Sequence, residues 1–501
     1  MTTAAGAASR TEGQLAGIDL GSNSFRVEIG QVSEERYRRI DYLKETVRLG
    51  AGLDDAGMLG EEAQERGLAC LARFARRLEG FAPAQVRAVA TQTLREAKNR
   101  DAFLGRAEQA LGRPIEVVSG REEARLIYGG VARLQPSTAA RLVVDIGGRS
   151  TEMILGRGPK PTRAESFQVG SVSASMTWFS DGRFTERAFR DAQVAVGAEL
   201  EEAIEPFAPA HWREALGSSG TVGAVSQLLA ASEVSDGRIT PAGLRWLIER
   251  CLDAGSIERL DLPGLRDDRR MVIGGGLAIL YTLATQFGID ELMPARGALR
   301  QGVIFDLAAR QRAQAEDVRE ASIGELQQRF SVDVAHADRV VTVVRMLLDG
   351  IDPEAGAEAR RELRWAAALH EAGMTISHHD HHRHSAYLLT HVDAAGFSQS
   401  QLRRLGELVL GQRGGLRKLE ARLRDPAFAR HVLCLRLAVI VCHAREEVEP
   451  GAIALRTDGA RTVVEIDPSW AEARPRAVHL LREELAAWVR TDVLTPVLVA
   501  R

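Results

Sequence analysis

Lysine is nearly absent from this chain. Lys44, Lys98, Lys160 and Lys418 are the only four, so the positive charge is almost all arginine. The planar guanidinium suits bidentate contact with phosphate, although arginine-rich coding accounts for the same excess. A large net charge is lacking too. The formal value of −3 excludes a wholesale polycation and argues against a nucleic-acid partner, so any polyanion has to be met by a local basic strip. Cysteine is sparse: Cys70, Cys251, Cys434 and Cys442 have no metal-type spacing and imply no disulfide framework, which fits a reducing cytosol. Long apolar runs are missing as well. The best stretch, HVLCLRLAVIVCHA (431–444), is short and carries Arg436, so no membrane span is expected. The opening MTTAAGAASRTEG has neither a basic start nor an apolar run, and reads as a frayed tail rather than a signal peptide.

What is present is a repeated strand-turn-strand. GIDLGSNSFRVEIG (17–30) returns in kind as RLVVDIGGRSTEMILG (141–156), each copy running an apolar strand into Asp, then Gly and hydroxyl or amide residues, then alternation again. An Asp at a strand end can hold a hydrated metal. Small residues after it let backbone N–H groups close around a phosphate oxygen. Two such turns facing each other would make a phosphate clamp, with Asp19 and Asp145 beside a cation.

At 501 residues a length prior suggests about three or four domains. Alternation predicts strands over 15–50, and the spacing of Leu68, Leu71, Phe74 and Leu78 predicts a helix over 60–78. Strands at 86–91 and 115–120, a helix opening in TQTLREAKN (91–99) and a helix at 122–131 complete a βαβ rhythm. The order restarts with strands at 141–147 and 151–156, helices near 183–204 and 222–231, a strand at 215–220 and a Gly-rich turn at MVIGGGLAIL (271–280), as an internal duplication would. After about residue 310 helical spacing dominates, at 340–348, 363–373 and 480–489, with a hairpin turning on Asp-Gly at 452–466. The polar QRAQAEDVRE (311–320) is the candidate hinge.

Together DLGSNSF (19–25), TQTLREA (91–97), SGREEARLIY (119–128), DIGGRSTE (145–152), GSSGT (217–221) and GALRQGV (297–303) resemble the exopolyphosphatase / guanosine pentaphosphate phosphatase (Ppx/GppA) family, in order and over essentially the whole chain. The resemblance implies an α/β fold of two actin-like domains of the ribonuclease H-like, sugar-kinase, heat-shock-chaperone and actin superfold (1–126 and 127–310). A helical HD-like domain (311–446) and a small α+β domain (447–501) would follow. It implies a cytoplasmic, Mg²⁺-dependent hydrolase and a homodimer. By resemblance Glu123 is the base that activates water, Asp145 and Glu152 work on the metal and the attacking water, and Asp19 helps place the metal. Glu122 is expected to be structural, a carboxylate at a helix N-terminus.

Ser22, Asn23 and Ser24 in the first turn, and Gly147, Gly148, Ser150 and Thr151 in the second, are candidate phosphate contacts. Arg26 on the same rim and Thr93 and Arg95 on a strand-to-helix turn join them, although Arg95 is equally suited to a salt bridge with Glu96 or Asp101. Gly217, Ser219, Gly220 and Thr221 suggest phosphate proximity, as does IGGGLAI (273–279), though Gly clusters are commonly just turns. The family usually has a third glycine where this chain has Arg149. Either that site has ordinary φ or the residue adds charge to the phosphate channel, and positive φ would cost Arg roughly 1 kcal/mol or more.

The helical half holds six His within 370–384, but His370-Glu371 stands where an HD phosphohydrolase has His-Asp, with no clear final Asp. The His-rich loop 378–384 is either a transition-metal site, a polyanion contact or a polar loop. Residues 401–424 carry seven Arg or Lys against two Glu, a solvated face or a guide for a polymer. The expected reaction is hydrolysis of the terminal phosphoanhydride of inorganic polyphosphate. The alternative is guanosine pentaphosphate, whose end is chemically equivalent. A kinase of the same superfold would need an acceptor pocket that the sequence does not suggest, and a non-catalytic sensor would leave the acidic cluster unexplained.

Overall fold

The computed structural model describes residues 13–33, 36–312, 317–458, 461–491 and 493–500, so most of the N-terminal tail, the middle of the candidate hinge and the Gly of the 458–459 turn lie outside the described residues. The chain divides into two compact units, Met1–Asp317 and Val318–Arg501.

The first unit contains two five-stranded sheets of the same plan. In one, β1 (Gln14–Leu20), β2 (Ser24–Val32) and β3 (Tyr37–Thr46) form an antiparallel meander, and β4 (Val86–Ala90) and β5 (Ile115–Val117) add parallel to β1. In the other, β6 (Ala140–Ile146), β7 (Thr151–Arg157) and β8 (Lys160–Phe167) form the meander, and β9 (Glu214–Ser218) and β10 (Met293–Pro294) add in parallel. The orders, β3-β2-β1-β4-β5 and β8-β7-β6-β9-β10, are the same topology twice, which bears out the duplication. The central strands read QLAGIDL and ARLVVDI because both sheet faces are covered, and a strand buried on two sides has no polar alternation.

Helix Gly120–Leu134 packs on helix Leu299–Arg312, and the boundary expected at 126/127 falls inside the first of these. A Cβ on Gly302 would overlap the Leu126 carbonyl, so this glycine of GALRQGV sets how closely the two backbones approach. One expectation fails here. IGGGLAI is not a turn but the start of a buried helix, Ile273–Gln286. A Cβ on Gly275 would lie 2.6 Å from the Ser175 amide nitrogen, on Gly274 3.0 Å from the Phe179 ring and on Gly276 2.7 Å from Thr221 Cγ2. These glycines buy helix contact, not backbone freedom.

The second unit is helical, with a three-stranded sheet of β11 (Ile453–Asp458), β12 (Arg461–Ile466) and β13 (Pro496–Ala500). A single apolar core runs from Val340, Leu347 and Trp365 to Ile453, Leu481 and Trp488. The expected hairpin is present as β11 and β12, and helix Val318–Arg329 opens the unit where the candidate hinge ends. No helix among the described residues is long and apolar enough to cross a membrane.

Candidate functional site

Asp19 and Asp145 occupy matching places, next to last on β1 and β6. Each hairpin closes with the same spacing, Leu20 opposite Phe25 and Ile146 opposite Thr151. The two turns meet. An ideal Cβ on Gly148 would stand 3.0 Å from Ser22 Cβ and 3.4 Å from the Asn23 nitrogen. Both turns line one cleft of about 540 Å³, with Asp19, Ser22, Asn23, Ser24, Arg26, Glu123, Asp145, Gly147, Gly148 and Ser150 on its wall. The first turn is pinned from behind, as Gly50 N–H donates to the Ser22 carbonyl at 2.7 Å and Arg48 N–H to that of Asn23 at 2.9 Å.

Glu123 lies in the first turn of helix Gly120–Leu134, whose N-cap Ser119 accepts from the Glu122 amide. It is buried, and Arg95 donates to its Oε2 at 2.7 Å. Arg95 therefore meets neither Glu96 nor Asp101. Its guanidinium also holds Gln92 Oε1 and the Val118 carbonyl, which fixes it against the base candidate. Glu122 faces the other way, toward Arg125 at 2.7 Å. Arg125 in turn bonds Asp306, which is shared with Arg87 at 2.7 Å. This charge network ties the start of the helix that carries Glu123 to helix Leu299–Arg312 and to β4.

Glu152 is directly opposite Asp145 across β6 and β7, and neighbouring side chains in such a pair lie on one face of the sheet. One oxygen of Glu152 accepts from Ser166 at 2.8 Å, while Oε2 has no hydrogen-bond partner. Burial, together with the charges of Glu123 and Asp145, holds the Glu152 carboxyl well above its usual range. Burial raises Glu123 to about 7 against the pull of Arg95. It raises Asp145 to about 6 against a hydrogen bond from Ser218 and the charge of Arg26. Several buried carboxylates that resist ionisation together fit a site completed by a divalent cation. They do not form a three-ligand group among the described residues. Mg²⁺ binds through one or two carboxylates and keeps oxygens of water and substrate. Asp145 and Glu152 would hold it, with Asp19 less available because Arg26 donates to its Oδ2 at 2.9 Å.

Other candidates separate cleanly. Asn23 Nδ2 and Ser24 Oγ are buried without a partner beside the cleft, as polar groups awaiting a ligand would be. Ser219 and Gly220 line the cleft, and Ser219 is held at φ 89, a left-handed backbone costing about 1–3 kcal/mol for a non-glycine residue. Thr221 also lines it, but its hydroxyl is spent on the Ile146 carbonyl at 3.1 Å. Thr93 and Thr151 are buried outside the cleft wall, and Thr151 Oγ1 donates to the Val169 carbonyl. Gly217 is a packing glycine within β9, where a Cβ would meet Val222 and Leu292. Arg149 has no left-handed backbone, so the missing glycine costs nothing. Its guanidinium lies off the cleft wall, on Glu96 at 2.7 Å and on the Gly50 carbonyl at 3.2 Å.

The cleft wall carries further cations that the sequence did not announce, Lys44, Arg266, Arg269, Arg296 and Arg300. Lys44 pairs with Asp268 at 3.1 Å, and Arg300 with Glu28 at 2.6 Å. Arg300 sits in the GALRQGV motif, which was a signal. The others come from segments without a pattern.

In the second unit the basic strip 401–424 mixes paired and exposed cations, with Arg413, Arg417 and Arg424 exposed. It spans a helix, a 3-10 turn and a short helix, with Arg404 on Glu362 at 2.6 Å and Arg422 on Glu407 at 2.8 Å.

Residues 29–311 match the Ppx/GppA phosphatase family and residues 318–487 match Ppx/GppA phosphatase, domain III. A protein of Vibrio vulnificus named guanosine-5'-triphosphate,3'-diphosphate pyrophosphatase is 36% identical over 491 residues, 97% of each chain. One of the same name from Vibrio cholerae is 36% identical over 486 residues, 96% of this chain and 97% of its own. The crystal structure of an exopolyphosphatase-like protein superposes with a TM-score of 0.54 at 26% identity, covering 60% of this chain and 99% of that one. The Aquifex aeolicus member of the Ppx/GppA family gives 0.51 at 25% identity, with coverage of 60% and 99%. With the duplicated sheets, the opposed turns and these matches in place, the chain belongs to the Ppx/GppA phosphatases, hydrolases of phosphoanhydride bonds.

Proposed function

We propose that this enzyme removes the terminal 5'-phosphate of guanosine pentaphosphate, leaving guanosine tetraphosphate. The observation that carries the chemistry is the meeting of two Asp-bearing turns over Glu123. The substrate follows from full-length similarity to proteins named for that reaction, which favours the nucleotide over the polyphosphate expected from sequence.

The terminal phosphoryl group sits between the turns, its oxygens taken by Ser22, Asn23, Ser24 and the backbone at Gly147 and Gly148. Glu123 accepts a proton from water, whose oxygen bonds to the terminal phosphorus. The bond from that phosphorus to the bridging oxygen breaks, and its electron pair stays on the departing diphosphate end. Arg95 opposes the burial that holds a proton on Glu123. Mg²⁺, when bound at Asp145 and Glu152, supplies neutralisation of the leaving phosphate.

Inorganic polyphosphate is the second reading, favoured by the cations on the cleft wall, which fit any phosphate chain. Phosphate release from guanosine pentaphosphate and from long polyphosphate, each with Mg²⁺ and with chelator, tests both. A higher kcat/KM for the nucleotide is expected, with loss of both activities in chelator. Preference for polyphosphate overturns the substrate assignment, and full activity in chelator overturns the metal.

A further inference from the structure

Of the six histidines within 370–384, only His370 joins the close cluster of the second unit, with Glu371 beside it. The His-rich run 378–384 is absent from the one group of three close potential ligands among the described residues, which is His336, His370 and Glu371, with ligand atoms all within 4.8 Å of one another. His336 lies in the first turn of helix Val334–Ile351, and His370 and Glu371 just past helix Ala357–Ala368, so two packed helices bring together residues far apart in sequence. All three are buried. The His370 Nδ1–H donates to the Ala367 carbonyl at 2.7 Å, which leaves the lone pair on Nε2. That buried Nε2 has no partner, and neither does His336 Nδ1. A backbone carbonyl fixing one ring nitrogen while the other stays free is how a histidine is prepared for a metal. His336 Nε2 stands 3.7 Å from Glu371 Oε1, too far for a hydrogen bond. Two ligands of one tetrahedral zinc stand about 3.3 Å apart, so little movement is needed.

We propose that His336, His370 and Glu371 form a binding site for a transition-metal dication of the Zn²⁺ class, separate from the phosphate cleft. Two imidazoles and one carboxylate with a fourth position for water make a set that Zn²⁺ and Co²⁺ accept and Mg²⁺ does not favour. In the metal-free chain the carboxylate is neutralised by Arg445, which donates to Glu371 at 2.8 Å and to Asp333 at 2.9 Å. The Arg445 side chain is 43% exposed, so it can withdraw into solvent when a cation arrives. The guanidinium thus acts as an internal competitor for the metal.

The test uses the full-length protein, stripped of metal and titrated with Co²⁺ alone. One equivalent is expected to give the intense visible absorption of four-coordinate Co²⁺, which Zn²⁺ abolishes by displacement, and Zn²⁺ should raise the Tm. His370→Gln should weaken binding at least about 100-fold. A combined His378→Asn, His379→Asn, His384→Asn variant should leave it intact. If His370→Gln does not fold, Arg445→Gln decides, since removal of the competitor must tighten binding several-fold. Absence of the absorption, its loss in the triple variant, or unchanged affinity in Arg445→Gln overturns the site.

Discussion

Glu123→Gln should give a protein that is slower and, at high pH, more stable. In the metal-free enzyme burial lifts this carboxyl from its ordinary 4.5 to about 7. A folded state that holds its proton more tightly than the unfolded chain loses stability as pH rises through that window. The loss starts near the unfolded value, is complete just above pH 7, and amounts to roughly 3 kcal/mol. The help from Arg95 is already contained in that figure. Gln cannot ionise, so relative to wild type the variant should gain roughly 3 kcal/mol between pH 4.5 and 8. Arg95 keeps Gln92 Oε1 and the Val118 carbonyl as partners, so the local fold should survive. Loss of a general base should lower kcat about 100- to 10,000-fold, with substrate binding retained. Urea denaturation in chelator at several pH values reads the first effect, and steady-state phosphate release reads the second. A stability difference that does not change with pH, or a kcat within tenfold of wild type, would refute the reasoning.

Arg95→Gln removes the cation that opposes burial at Glu123, so the acid limb of the kcat/KM profile should move to higher pH by roughly one unit or more. A shift toward lower pH would contradict the pairing. Arg149→Gly should leave kcat/KM within about threefold while lowering stability by about 1–2 kcal/mol, from a modest ion pair plus the entropy of glycine. A large rise in KM would instead place Arg149 against substrate. Gly302→Ala sets a Cβ against the Leu126 carbonyl between two rigid helix backbones, and should cost about 3 kcal/mol in chemical denaturation. A neutral outcome would mean that the helices slide apart freely.

The parts of the molecule legible in sequence were those built by local rules. An apolar strand ending in Asp and followed by small residues makes its own turn, so both Asp turns and the doubled topology could be read from two short strings. Glu122 and Glu123 were legible as a helix start, because Ser119 caps a turn only three residues away. The failures came from partners distant in the chain. Nothing near Arg149 points to Glu96, and nothing near His370 points to His336. The three glycines of IGGGLAI were misread because a glycine needed for close contact has the same letter as one needed for a turn. Only the position of Ser175 and Phe179 distinguishes them. The cations on the cleft wall were hidden for the same reason, since Lys44 and Arg269 come from different lobes and have no shared spacing.

Matching positions on β2 and β7 carry opposite charge. Arg26 stands across from Asp19 where Glu152 stands across from Asp145. A perfectly repeated pair of loops would offer an incoming chain of phosphates two interchangeable grips and no preferred direction. Exchanging one acid for a guanidinium removes that degeneracy, so the two turns present different charge to whatever enters between them. The two halves of the site thus share one plan and differ at matching places, Arg26 against Glu152 and Ser22-Asn23 against Gly148-Arg149.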